Sequence, residues 1–166
     1  MNRGLAIRRG TTEDIQEVLL LERETVTAPH WGWKEYEAIL ARGGVAEVRR
    51  TLLVAADGRL ISGFAVGTVL ADEAEIESVV VRENLRRQGI GSSLCRALMQ
   101  WARQENAGTV VLEVRQGSAG AVHLYGGLGF FRVGLRAGYY KDPIEDALVM
   151  KCELKGQYPA ESKLFP

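Results

Sequence analysis

Two guanidiniums and two glycines are packed into Arg86-Arg87-Gln88-Gly89-Ile90-Gly91. Glycine lets the backbone come close to a ligand, and the unbonded N–H groups of a helix's first turn carry partial positive charge. Arginine adds charged donors with directional geometry. A helix opens here, because from Ile90 onward Leu94, Ala97, Leu98 and Trp101 fall on one face. Ahead of it, Val79-Val80-Val81 is a β-branched run suited to a buried strand. Strand, basic glycine loop and helix together form an anion site, for which a pyrophosphate is the natural occupant. The plainer alternative is a glycine entry turn flanked by two solvated arginines.

A second chemical signal lies in Thr109–Val114, a β-branched strand that carries Glu113 in its middle. A carboxylate in a strand that otherwise reads as buried is costly unless it is paired, hydrated or needed. The chain continues through Arg115-Gln-Gly-Ser118, where Ser118 is placed to cap a short helix bearing Leu124 and Tyr125. Gly126-Gly-Leu-Gly129 ends that helix.

Three kinds of phosphate loop share this outline. A Walker A loop requires Gly-Lys-Ser/Thr, whereas Gly91 is followed by Ser92 and Ser93. A dinucleotide fingerprint requires Gly or Ala three residues after Gly91, where Leu94 stands, and belongs in the first βα turn of a domain. The third kind is the coenzyme A loop of the GNAT acetyltransferases, Arg/Gln-x-x-Gly-x-Gly/Ala, which Arg86 to Gly91 matches in full.

The elements that must position these groups can be read in order. Leu5–Arg9 is a first strand, and Thr11-Thr-Glu-Asp14 is an N-cap sequence followed by Ile15, Val18 and Leu19 at helical spacing. Pro29-His-Trp-Gly32 breaks that helix, and a second runs from about Trp33, with Tyr36, Ile39 and Leu40 on one side, to Gly43-Gly44. Thr51–Ala56 and Leu60–Leu70 are strands joined by the hairpin turn Asp57-Gly58, and Glu75–Val81 is the third run of this meander. Phe130–Leu135 is a further strand, and a loop bearing Tyr139, Tyr140 and Pro143 leads to a last strand, Ala147–Leu154. The layout is α+β, one domain over residues 1–154, with residues 155–166 as a C-terminal tail of little periodicity.

Composition narrows the function classes. Twenty-one basic and 21 acidic residues cancel, so no global field favours nucleic acid or a membrane surface. No apolar run reaches the length of a membrane span, and the first residues do not form a signal peptide. Cys95 and Cys152 sit in a helical and a strand pattern, as expected of reduced, buried thiols in a cytoplasmic protein. The two histidines are far apart, with no cysteine pair, which makes no metal site. Asp72, Glu73, Glu75 and Glu77 are either a solvated turn and strand edge or an acidic rim for a cationic amine. Nothing in the sequence specifies an oligomeric state.

The ordered series Leu112-Glu-Val-Arg115, Ser118-Ala-Gly-Ala-Val-His-Leu-Tyr125, Leu128-Gly-Phe130, Tyr139-Tyr140 and Glu145-Asp-Ala-Leu-Val-Met150 resembles the ribosomal-protein-alanine N-acetyltransferase family of the GNAT superfamily. The resemblance is dense from Val79 to Leu154 and thin before Thr51, where only Pro29-His-Trp31 is suggestive. It implies the GNAT fold, a mixed and mostly antiparallel sheet flanked by about four helices. It also implies acetyl transfer from acetyl-CoA to the α-amino group of a protein, possibly a ribosomal protein beginning with alanine. Carried over residue by residue, it makes Glu113 the general base and Tyr125 the general acid. Arg86, Arg87, Gln88, Gly89, Gly91 and Ser92 become the pyrophosphate loop, Val79 and Val81 the strand that holds the pantetheine arm, and Ser118 a further cofactor contact. Trp31, Glu77, Tyr139 and Tyr140 border the acceptor. Three departures stand out: Ser118 replaces the usual Asn, Arg82-Glu83 replaces the usual acidic residue and proline, and the segment around Gly44 to Arg50 has no clear counterpart. A lysine side chain or a small amine remains an alternative acceptor, and a coenzyme A-binding module without turnover an alternative role.

Overall fold

Seven strands form one sheet in the computed structural model, which describes residues 5–41 and 47–154. They are β1 (Ala6–Arg9), β2 (Val48–Asp57), β3 (Leu60–Leu70), β4 (Glu73–Val81), β5 (Thr109–Arg115), β6 (Phe131–Lys141) and β7 (Ile144–Glu153). Their order across the sheet is β1-β2-β3-β4-β5-β7-β6. Every neighbouring pair is antiparallel except β4 and β5. Among the described residues there are four α-helices: α1 (Ile15–Glu24), α2 (Trp33–Leu40), α3 (Ile90–Gln104) and α4 (Ala119–Gly127). This is the α+β architecture expected from the sequence, and no helix among the described residues is long and apolar enough to cross a membrane.

Two cores lie on opposite faces of the sheet. On one face, Leu94, Cys95, Leu98 and Trp101 of α3 pack against Leu53, Ala65, Ile76, Val110 and Leu112, with Leu124 and Tyr125 of α4 beside them. On the other, Ile15, Val18 and Leu21 of α1 and Tyr36 and Ile39 of α2 cover Leu52, Val54, Phe64, Val66 and Val80. The predicted apolar stripe of α3 is therefore its buried face. Tyr36 is fully buried and donates its hydroxyl to Glu22, also buried, at 2.9 Å.

The N-cap sequence at Thr11 acts through its fourth residue. Asp14 Oδ2 accepts from the Thr11 amide at 2.8 Å and from its hydroxyl at 3.1 Å. Asp14 also receives two bonds from Arg8 of β1, at 2.7 and 2.8 Å, which fasten the first strand to the helix start. The Arg8 guanidinium accordingly holds the Asp14 carboxyl below its usual range.

Several boundaries differ from the sequence reading, among them the starts of β4 at Glu73 and β7 at Ile144. Strand β6 continues to Lys141, so Tyr139 and Tyr140 lie in a strand and not in a loop. A bulge makes this possible: Arg136 pairs with Ala147 and Tyr140 with Glu145, leaving three residues of β6 opposite Asp146 alone. The Gly138 amide donates to Asp146 Oδ1 at 2.8 Å and holds the bulge. Strand β2 begins at Val48, not Thr51, because Arg49 and Arg50 find carboxylate partners across the structure in Glu105, Glu35 and Glu77. Ser118 occupies the N-cap position of α4, but its hydroxyl makes no capping bond; the Val122 amide is received by the Ser118 carbonyl instead. The second helix ends at Leu40, and the stop expected at Gly43-Gly44 lies outside the described residues.

Candidate active site

The site begins where β4 and β5 part. They pair from Glu73/Thr109 to Ile76/Leu112 and no further. At that point β4 carries a bulge: Ser78 faces Val66 and Ile76 faces Gly67, so Glu77 is the extra residue. A bulge bends a strand and increases its twist, which turns β4 away from β5. From Glu77 to Val81 the β5-facing edge of β4 has no strand partner, leaving backbone donors and acceptors open along a slot between two strands. Val79 and Val81 occupy this stretch, with side chains packed toward α3.

At the end of the slot stands the glycine loop. Gly89 caps α3 in the left-handed region with φ 83°, a conformation glycine adopts without steric cost. The first helical bond runs from the Ser93 amide to the Gly89 carbonyl at 2.9 Å. The amides of Gly89, Ile90, Gly91 and Ser92 therefore have no backbone acceptor among the described residues and carry the positive end of the helix dipole. A side chain at Gly91 would meet Leu124 at 3.2 Å and Val81 at 3.6 Å, so glycine is what allows strand, helix and α4 to converge. Arg87 and Gln88 are exposed beside these amides. Arg86 folds back, its Nε donating to the Val81 carbonyl at 3.2 Å. The donor set of free amides and arginines suits a pyrophosphate, and the open strand edge suits an extended amide-bearing chain such as pantetheine.

Arg82, at the departure from the usual acidic-proline pair, anchors this loop. Its amide donates to Ser62 O at 2.9 Å. Its guanidinium reaches Glu17 of α1 at 2.8 Å, Ile61 O at 3.2 Å and Glu24 at 3.6 Å. A cleft of about 540 Å³ between the end of α1 and this turn is lined by Leu21, Thr25, Arg82, Asn84 and Arg86. Proline would stiffen the turn by fixing φ; arginine does so by tying it to α1 and β3. Arg82→Ala is expected to raise KM for acetyl-CoA about three- to tenfold, as loss of one charge-anchored contact does, and to leave kcat at saturation nearly unchanged. Initial rates at varied acetyl-CoA check this.

The other end of the site lies on the sheet face that α1 and α2 cover only as far as β4. Glu113 Oε1 is 2.7 Å from the Arg136 guanidinium. The neighbouring Glu113 carboxylate, followed by burial, raises the pKa of the Tyr139 phenol. Tyr140 stacks edge-on with Tyr139 at 5.2 Å and lies 4.1 Å from the guanidinium carbon of Arg115. Burial and then the Glu113 charge push the Tyr140 phenol up. Glu75, where β4 still pairs with β5 opposite Val111, has no side-chain hydrogen bond or ion pair among the described residues. Burial first, then Glu77 and Glu113, raise its pKa.

Glu77 is fully engaged. Arg50 grips its two oxygens at 2.9 and 2.7 Å and reaches Glu35 of α2 at 2.5 Å; Thr68 also donates to Glu77. The same guanidinium lies 5.5 Å from the Trp31 ring, which in turn meets Tyr36 edge-on at 5.8 Å. Trp31 and Glu77 are thus joined through Arg50. The acidic stretch is accordingly neither a purely solvated edge nor a free rim, since Glu77 is neutralised and Glu75 is not.

Tyr125 sits on α4 against Phe130, edge to face at 5.8 Å. Burial, with smaller contributions from Cys95 and Tyr140, drives its phenol well above the ordinary range, so it is a neutral proton donor at any physiological pH. The Cys95 thiol is fully buried and pushed up to about 12 by that burial. It is no acyl carrier: Cys95→Ala is expected to keep activity within about twofold, and iodoacetamide to leave the folded wild type unmodified. Intact-mass measurement and a rate assay check both. His123 is exposed. No group of three or more metal-ligating side chains occurs among the described residues.

Arg50, Glu35 and Arg136 were not singled out by the sequence, and Arg82 stood out only as a departure from the family pattern, not for its partners. Each lies in an ordinary strand, helix or turn pattern, and its partner is 15 to 65 residues away for Arg50, Glu35 and Arg82 and on a separate strand for Arg136. No local signal marks such pairs.

Comparison with known proteins agrees with this geometry. Residues 13–130 match the model of the acetyltransferase (GNAT) family. A Bacillus subtilis protein provisionally named a ribosomal protein bS18-alanine N-acetyltransferase is 30% identical over 150 residues, spanning 90% of this chain and 96% of that protein. An N-alpha-acetyltransferase of Sulfurisphaera tokodaii is 32% identical, with 89% of this chain and 92% of the relative covered. The crystal structure of the Escherichia coli ribosomal-protein-S18-alanine N-acetyltransferase superposes with a TM-score of 0.75 at 26% identity, covering 96% of this chain and 99% of that one. A parted strand pair ending on a basic glycine loop, matched over most of the chain, has one reading: the chain belongs to the GNAT acetyltransferase family and is an N-acetyltransferase.

Proposed function

We propose that this protein acetylates the N-terminal α-amino group of a protein, a ribosomal protein beginning with alanine being the acceptor its relatives suggest, with acetyl-CoA as donor. The observation that carries the reading is the slot itself. Its open β4 edge leads from the free amides of α3 to a face where Glu113, Tyr139 and Tyr140 cluster, with the desolvated Tyr125 of α4 near enough to Tyr140 to feel its charge. Such an acceptor would place the enzyme in the cytoplasm.

Gly89 to Ser92, with Arg86, Arg87 and Gln88, would hold the pyrophosphate, Val79 and Val81 the pantetheine arm, and Ser118 the far side. When bound, acetyl-CoA supplies a thioester carbonyl that the amine attacks, so that a C–N bond forms as the C–S bond breaks. The acceptor amine, with a pKa near ~8, is largely protonated at neutral pH. Glu113 takes that proton, directly or through a water. A backbone N–H on the open edge of β4 faces the charge developing on the carbonyl oxygen. Tyr125 gives its proton to the departing sulfur. Trp31 and Tyr139 border the acceptor, and Glu77 shapes that border through Arg50.

The test uses purified protein, acetyl-CoA and two peptides read by mass spectrometry. One begins with a free alanine and contains no lysine; the other has a blocked N-terminus and one internal lysine. Acetylation of the first alone is expected. Acetylation of the second alone would move the acceptor to lysine, and binding of acetyl-CoA without transfer to either would point to a small amine or a module without turnover.

A further inference from the structure

We propose that Arg136 is a built-in stand-in for the acceptor's ammonium group, occupying its seat on Glu113 until a substrate amine displaces it. The inference rests on the N-terminal acetyltransferase reading and assigns how that site recognises its acceptor.

The seat has the chemistry of a cation site. Glu113 supplies a carboxylate oxygen at 2.7 Å, and the Tyr139 ring lies 5.1 Å from the Arg136 guanidinium carbon. A carboxylate beside an aromatic face binds an alkylammonium for the same reasons that it binds a guanidinium. The Tyr139 phenol is influenced by both partners, Glu113 raising its pKa and Arg136 lowering it, so ring, carboxylate and guanidinium share one seat.

The occupant is held loosely and the seat firmly. Arg136 is 55% exposed at its side chain, Glu113 only 23%. Arg136 sits on β6, the last strand of the sheet, immediately before the bulge opposite Asp146. By contrast, two neighbouring guanidiniums are locked: Arg50 between Glu77 and Glu35, and Arg115 between Glu145 and the Tyr140 ring. Removing Arg136 would leave Glu113 and the unpaired Glu75 facing one incoming positive charge.

The exchange also explains release. Before transfer the acceptor is cationic and competes with Arg136 for Glu113. After transfer it is a neutral amide and cannot. Once Glu113 has passed the amine's proton to solvent, Arg136 reclaims the carboxylate and the product loses its anchor.

Calorimetry with coenzyme A present, so that no transfer occurs, tests this on the full-length wild type, Arg136→Gln and Arg136→Lys. The ligands are the alanine-starting peptide and its N-acetylated form. Arg136→Gln is expected to bind the free-amine peptide about five- to tenfold more tightly, as expected for removal of one competing charge near a protein surface, and the acetylated peptide unchanged. Arg136→Lys, which keeps the charge, should stay close to wild type. In a Glu113→Gln background the gain from Arg136→Gln should vanish. Equal or weaker binding of the amine peptide by Arg136→Gln, in protein that melts and binds coenzyme A like wild type, would overturn the inference while leaving the enzyme assignment intact if the wild type acetylates that peptide. A wild type that does not acetylate it would remove the acceptor assignment and this inference together.

Discussion

Tyr125→Phe is expected to lower kcat by roughly 10²–10⁴-fold with no change in acetyl-CoA affinity, the usual worth of a positioned general acid. The ring stays against Phe130, so packing is retained and only the hydroxyl is lost. The phenol is well suited to this donation because burial disfavours its ionised form and raises its pKa. A raised phenol pKa keeps the donor protonated to higher pH. The alkaline limb of kcat in the wild type should therefore not begin, on account of Tyr125, before the ordinary phenol range near ~10. Steady-state rates from pH 6 to 10 and a melting curve check the set. A variant within threefold of wild type would mean that water or another group protonates the sulfur.

Glu113→Gln should cost about 10²-fold in kcat/KM at neutral pH, and much of that loss should return above pH ~9. The reason is the amine. Near neutrality it needs a proton acceptor, whereas at high pH it is already neutral and the carboxylate becomes dispensable. The substitution also leaves Arg136 without its partner at 2.7 Å, on an edge where solvent takes over at small cost to stability. An undiminished deficit at pH 9.5 would argue against proton transfer to Glu113. Glu75 would then be the carboxylate to replace, since it faces the same space without an ion-pair partner and burial already favours its protonated form.

These two expectations depend on sequence and tertiary structure to different degrees. Tyr125 and Glu113 each stood out in their own segments, one on a short helix and one as a charge in a β-branched strand. Their mutual arrangement did not. It follows from the bulge at Glu77, which parts β4 from β5, and a bulge is a property of two strands in register. The placement of Tyr139 and Tyr140 was misread for a similar reason. Gly138 and the following tyrosines look like a loop locally, yet pairing with β7 and the Asp146 side chain hold them in a strand. Ser118 stood at a helix start as expected, but a hydroxyl so placed caps only if the backbone turns it toward the amides, and here it does not.

What the sequence determined by itself is whatever short-range physics dictates. The apolar period of α3, the glycine entry at Gly89 and Gly91, the hairpin at Asp57-Gly58 and the β-branched strands depend on neighbours within a turn or a strand. The glycine loop could be read as a phosphate cradle for that reason, since its donors are its own backbone amides. Tertiary structure alone decided which charges are spent and which are free. Arg50 neutralises Glu77, Arg82 ties the loop to α1, Arg136 covers Glu113, and Glu75 has no ion-pair partner among the described residues. Ion pairs between distant segments leave no periodicity in a chain, because a carboxylate's partner is set by distance in space and by desolvation, and both arise only once the sheet has closed over its two cores.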